Sequence, residues 1–143
     1  MSPKELVKRF YHELWNRADE SLAAEILDTD LHFRGSLGLE RQGRDGFIDY
    51  MRSVHAALGG YTCVIEDLIV SDDSAAARMT FKGRHQGLFF GVEATGRNVA
   101  WEGTAYFRFA SGRISKLWVE SDLAGLKAQL DAGDAEPFAL FGS

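Results

Sequence analysis

The sequence predicts an α+β domain in which amphipathic helices come first and an antiparallel meander follows, packed as a helical layer on one curved sheet. Three observations predict it. Up to about residue 58 the apolar residues recur at helical spacing. After residue 60 they fall into runs of strand length separated by short turns. No repeat, linker or low-complexity stretch divides the chain, so residues 1–143 read as a single domain.

Ser2, Pro3 and Glu5 supply an N-cap, a first-turn proline and a candidate capping box, and Leu6, Phe10, Leu14 with Val7, Tyr11, Trp15 continue as one apolar face. A shorter helix is expected over ESLAAEIL, then an extended piece, DLHFRG, and a turn-rich stretch, LERQGRDG. The third helix starts near Asp45, buries Phe47, Ile48, Met51, His55 and Leu58, and stops at Gly59 and Gly60. Four strands follow: YTCVIEDLIV, AAARMTFKGRH, NVAWEGTAYFRFA and RISKLWVES. A last helix, DLAGLKAQL, presents Leu123, Leu126 and Leu130 to an apolar neighbour, and the tail DAGDAEPFALFGS turns from acidic to hydrophobic, as a docking segment would.

With 45% hydrophobic residues the 143-residue chain can build a sizeable core. A net charge of −5 without a basic run argues against nucleic acid as a partner. No apolar run approaches the roughly 18 residues of a membrane span, and the N-terminus is patterned as a helix, so a soluble, cytoplasmic protein is expected. Cys63 is the single cysteine and reads as a small buried strand residue. No His, Asp, Glu or Cys spacing forms a metal set, so no metal is expected, and Thr95-Gly96-Arg97 is a turn rather than a phosphate loop.

If Ser111 and Gly112 form a two-residue turn, Ala110 pairs with Arg113, Ala105 faces Trp118, Gly103 faces Glu120 and Trp101 faces Asp122. Pairing Arg84 with Glu102 then brings His85 beside Trp101 on the inner face. His85 and Asp122 would stand roughly 10 Å apart across Trp101, with Gly83, Gly103 and Ala105 leaving space above the sheet. An apolar cavity with a few convergent polar groups is a ligand site by default.

Residues 85 to 130 of this sequence resemble the C-terminal half of the SnoaL-like polyketide cyclases, or ester cyclases, a branch of the nuclear-transport-factor-2-like (NTF2-like) superfamily. The shared pattern is His85, the Gly-Phe hairpin GLFFG, Thr95-Gly96-Arg97, the strand holding Trp101, Phe107-Arg108, Gly112-Arg113-Ile114, Trp118 and Asp122 four apart, and a closing Gln129-Leu130 helix. Ala94 stands where many relatives carry proline. The resemblance implies a cone-shaped fold whose helices close over a curved, mostly antiparallel sheet to enclose a pocket. It also implies aldol-type ring closure without a cofactor, with Asp122 as general acid/base and His85 as its partner in the site.

One carboxylate can take a proton from carbon and return it to oxygen, most effectively when burial raises its pKa. Asp122 also precedes a helix, where an aspartate caps. Trp101, Trp118 and Phe107 are candidate walls of the substrate pocket, with His32 and His55 as further lining residues. The expected ligand is a small apolar carbonyl compound, and a homodimer is expected from the basic outer face of Arg78, Lys82 and Arg84 together with the apolar tail. Two alternatives share the fold: a binding module without turnover, and isomerase, dehydratase or epoxide hydrolase chemistry. Epoxide hydrolysis would need a second inward aspartate, and no residue here matches it.

Overall fold

The structure is a computed structural model that describes residues 1–132, so the tail beyond Ala132 lies outside the described residues. Helix α1 (Pro3–Arg9) begins at Ser2, whose Oγ accepts the Glu5 N–H at 3.2 Å. It runs on into a π-helical segment (Phe10–Trp15), which ends where the Asn16 N–H bonds the Tyr11 carbonyl five residues back. Phe10, Tyr11, Leu14 and Trp15 are all buried. The expected second helix is only a 3-10 turn (Glu20–Leu22) and one helical turn, α2 (Ala23–Ile26), because Leu27 already enters strand β1 (Leu27–Arg34). A tight turn joins β1 to the short β2 (Glu40–Gln42), and α3 (Gly43–Ala57) buries Phe47, Tyr50, Met51 and Val54.

The sheet is completed by β3 (Leu58–Val70), β4 (Ser74–His85), β5 (Asn98–Ala110) and β6 (Arg113–Ser121), in the order β2-β1-β6-β5-β4-β3. All neighbours are antiparallel except β1 with β6. The first helix and α3 pack on the inner face through aromatic edges: Phe10 lies 5.4 Å from Phe47 and 5.8 Å from Phe107, and Trp15 lies 5.3 Å from Tyr61.

Two side-chain amides finish the sheet where strands lack a partner. On the edge strand β3, Asn16 Oδ1 accepts the Cys63 N–H at 2.8 Å while its Nδ2 donates to the Cys63 carbonyl at 3.0 Å. Helix α4 (Leu123–Ala132) buries Leu126 and Leu130, and its Gln129 brackets both main-chain groups of Ala100 at 2.9 and 2.7 Å.

Two registers depart from expectation. Ala110 does pair with Arg113, but Arg108 pairs with Lys116, so β6 carries one extra residue, Ser115, whose Oγ donates to the Arg108 carbonyl at 3.2 Å. A one-residue bulge reverses the facing of everything beyond it. Ala105 therefore faces Val119 and Gly103 faces Ser121, while Trp118 and Glu120 turn outward. Burial decides the choice: Leu117 and Val119 are 1% and 4% exposed, whereas an indole can keep a polar edge at the surface. In the β4–β5 hairpin Arg84 pairs with Asn98 and Phe81 with Trp101, a shift of an even number of residues. His85 and Trp101 keep the inner face but are not neighbours.

Candidate functional site

The residues expected to form the site do not gather in one place. Asp122 lies past the end of β6, exposed, with its N–H donating to the Glu102 carbonyl at 2.9 Å and its Oδ1 accepting the Gly125 N–H at 2.9 Å. It is the N-cap of α4. His85 is fully buried and both ring nitrogens are engaged: Nε2–H donates to the Val92 carbonyl at 3.2 Å, and Nδ1 accepts from the Thr95 N–H at 3.3 Å and its hydroxyl at 3.0 Å. The imidazole thus pins the connection between β4 and β5.

Trp118 and His32 stand on the outer face instead of lining a pocket, the first because of the Ser115 bulge and the second because β1 buries Leu31 and Phe33. There the Trp118 indole N–H donates to Glu120 Oε1 at 3.0 Å, Arg34 lies 5.2 Å from the ring, and the His32 ring meets its edge at 6.2 Å. His55 is half-buried and donates through Nε2 to the Trp15 carbonyl at 2.9 Å, tying α3 to the first helix. Phe107 is core, edge-on to Phe10 and Tyr11. Trp101 packs on Phe81 at 5.5 Å with its buried indole N–H unpaired among the described residues. The space expected above Gly103 is taken by Phe81 and Ser121, against which any Cβ at that position would press at 2.9 Å.

What the cone does enclose is a cluster of hydroxyl groups. A cavity of about 10 Å3, room for about one water, is walled by Tyr11, Ser36, Tyr61 and Cys63 among apolar rings. Tyr11 is 2% exposed, and its hydroxyl has no hydrogen-bond partner among the described residues. Burial pushes the Tyr11 and Tyr61 phenols well above their usual range. Burial likewise lifts Tyr50 to about 12, against the opposing pull of the Ser36 side chain and the Leu37 backbone. The Cys63 thiol is pushed up for the same reason. At neutral pH these groups are protonated, and of them the Tyr11 hydroxyl is the one with no partner among the described residues.

Sequence reasoning missed them. The available signal was that three of the four tyrosines, Tyr11, Tyr50 and Tyr61, occupy core-facing positions where each phenol must find a partner.

Outside the cavity, a groove of about 240 Å3 runs between α3, the 35–39 turn and the Gly-Phe turn, lined by Leu37, Leu39, Tyr50, Val54, Leu88 and Phe90. Tyr50 lines this groove and not the cavity. Its ring packs on Phe33 at 5.0 Å and Trp15 at 5.9 Å, and its hydroxyl accepts the Leu37 N–H at 3.2 Å. Gly35 is required beneath it, since a Cβ there would run into the phenol. Among the described residues no three His, Cys, Asp or Glu side chains gather as a metal site would need, and no helix is long and apolar enough to cross a membrane.

The fold recurs in solved structures. TsrD from Streptomyces laurentii is 27% identical with a TM-score of 0.78, the match covering 90% of this chain and 94% of that one. IdmH from Streptomyces antibioticus is also 27% identical at a TM-score of 0.78, over 91% and 99% of the two chains. A SnoaL-like polyketide cyclase from Agrobacterium tumefaciens shares the fold at 18% identity and a TM-score of 0.75, over 91% and 98%. Curated proteins give no match. The model of the SnoaL-like polyketide cyclases matches residues 5–130, and with nearly the whole described chain inside that match, this protein belongs to the SnoaL-like polyketide cyclase family.

Proposed function

We propose that the protein is a cofactor-free enzyme of the polyketide-cyclase type, closing a ring in a small apolar carbonyl compound by acid/base chemistry. The observation that carries this reading is the buried Tyr11 hydroxyl on the cavity wall, protonated and without a partner among the described residues. A ketone oxygen reaching it would gain a hydrogen bond that strengthens as negative charge develops there during enolisation. Proton removal from carbon needs a base, and the phenols, held protonated by burial, cannot serve. Asp122 is the proposed base. Its present cap is exposed, and giving up an aspartate N-cap costs about 1 kcal/mol, small beside a reaction barrier. Tyr11→Phe should slow turnover of cyclisable dicarbonyl compounds by tenfold or more, with a chelator present throughout. Undiminished turnover in that variant would remove the phenol from the chemistry.

Binding without turnover is the second reading, favoured by the engagement of Asp122 Oδ1 with Gly125. In either reading the chain is proposed to pair with a second copy through its outer sheet face, where Arg78, Lys82 and Arg84 alternate and Tyr106 is 39% exposed. Sedimentation at micromolar concentration should then show a species twice the 15.9 kDa chain, and a single 15.9 kDa species would refute the pairing.

A further inference from the structure

Three large apolar side chains, Leu39, Leu88 and Phe90, are 49%, 64% and 40% exposed, and all three stand on the walls of the groove beside Tyr50. Phe90 holds its place at a conformational cost. The Phe89–Val92 hairpin closes with reciprocal hydrogen bonds of 3.0 and 2.9 Å, and its central residues, Phe90 and Gly91, have φ of 50° and 75°. The first central position of such a turn ordinarily takes Asn, Asp or Gly, so a bulky aromatic there is an outlier. Its ring meets Phe89 at 4.8 Å and the Lys127 ammonium of α4 at 5.1 Å, and its free side lines the groove.

Helix α4 aims the rest of the chain at this place. It runs back along β5: the Asp122 N–H meets the Glu102 carbonyl, Gln129 brackets Ala100, and the Leu130 carbonyl accepts from Arg97 at 3.1 Å. The chain therefore leaves α4 at the end of the sheet where the β4–β5 connection carries Leu88 and Phe90. Residues 133–143 read GDAEPFALFGS, with helix-stop signals at Gly133 and Pro137 and two acids, Asp134 and Glu136, ahead of Phe138, Leu140 and Phe141.

Reach and charge select this groove for that segment. Phe138 stands six residues past Ala132, up to about 20 Å of extended chain, against about 7.5 Å of helix from Lys127 to Ala132, so it can turn back to Phe90. Arg97 and Lys127 flank that path and Arg41 lines the groove, with Asp49 as the one acid on its walls. The other exposed aliphatic pair, Ile69 and Val70, is out of reach. Val70 pairs with Ala75, seven residues along β4 from the Lys82 that pairs with Ala100, about 23 Å, and α4 points away from it.

We propose that residues 138–141 of this chain fold back and dock in the groove, the Phe138 and Phe141 rings covering Leu39, Leu88 and Phe90, with Asp134 and Glu136 facing Arg97 and Lys127. The docked tail is a contact of the chain with itself, separate from the pairing of copies through the outer sheet face.

Paramagnetic broadening in the full chain tests it. Cys63 is 2% exposed, so a thiol-reactive nitroxide labels Ser143→Cys alone. The methyl resonances of Leu39 and Leu88 should lose most of their intensity while those of Ile69 keep theirs. Phe138→Asp with Phe141→Asp should restore them, and Leu88→Ser with Phe90→Asn, at exposed positions that do not threaten folding, should restore Leu39. Isotope-enriched chains mixed with nitroxide-labelled ones and left to exchange should stay sharp. Sharp Leu39 and Leu88 methyls in the labelled parent would overturn the docking, as would broadening that survives both pairs of substitutions. Broadening in the mixed sample would give the groove to the tail of a second copy and overturn the fold-back.

Discussion

Asp122→Asn is expected to lower turnover by about two to four orders of magnitude while leaving the thermal midpoint nearly unchanged. The asparagine side-chain oxygen can take over the 2.9 Å bond from the Gly125 N–H, and asparagine caps helices about as well as aspartate, so α4 keeps its start. What the amide cannot do is accept a proton from carbon near neutral pH. Asp122→Ala completes the comparison: it removes cap and base together, and should cost about 1 kcal/mol of stability besides the rate. A variant series in which Asn and parent turn over equally, and only Ala loses stability, would leave Asp122 as a cap and return the protein to the binding reading. The measurements are turnover on cyclisable dicarbonyl compounds and thermal unfolding of the same samples.

His85→Phe should act through stability. The imidazole donates to the Val92 carbonyl and accepts from Thr95, at a residue with no exposed surface. A phenyl ring fills the space but leaves the Thr95 N–H without that partner, at about 1–3 kcal/mol for a group left buried and unpaired, while the Val92 carbonyl keeps the Phe89 N–H at 3.0 Å. A total loss of about 1–3 kcal/mol is expected, concentrated in the connection between β4 and β5. Denaturant unfolding reads it directly. An unchanged midpoint with an unchanged slope would mean that the loop holds itself without His85.

The sequence carried the order of the elements and much of their chemistry. Ser2 and Pro3 start the first helix as their types demand, the Ser111-Gly112 turn joins β5 to β6, and the Leu126–Leu130 stripe of α4 is buried. The facing of β6 was harder to read because RISKLWVES supports two alternations. Ile114 and Leu117 are three apart, and only an inserted residue buries both; the insertion is Ser115, and it sends Trp118 out to Arg34 and Glu120. Glycines at 83 and 103 suggested space, but a missing side chain on a sheet is as readily filled by a neighbour, here Phe81 over Gly103. The hydroxyl cluster was hidden for a related reason. Tyr11, Tyr50 and Tyr61 satisfy a hydrophobic pattern as well as phenylalanine would, and only tertiary packing shows which phenol has no partner among the described residues.

The most direct measurement is the carbonyl stretching frequency of an isotope-labelled aryl ketone bound at saturation to the parent and to Tyr11→Phe. A phenol donating to the carbonyl oxygen weakens the C=O bond, so the parent-bound ketone should absorb at lower frequency, and the variant should move it back toward its value in an apolar solvent. Ketone bound by both proteins at one and the same frequency would contradict carbonyl polarisation by the buried Tyr11 phenol.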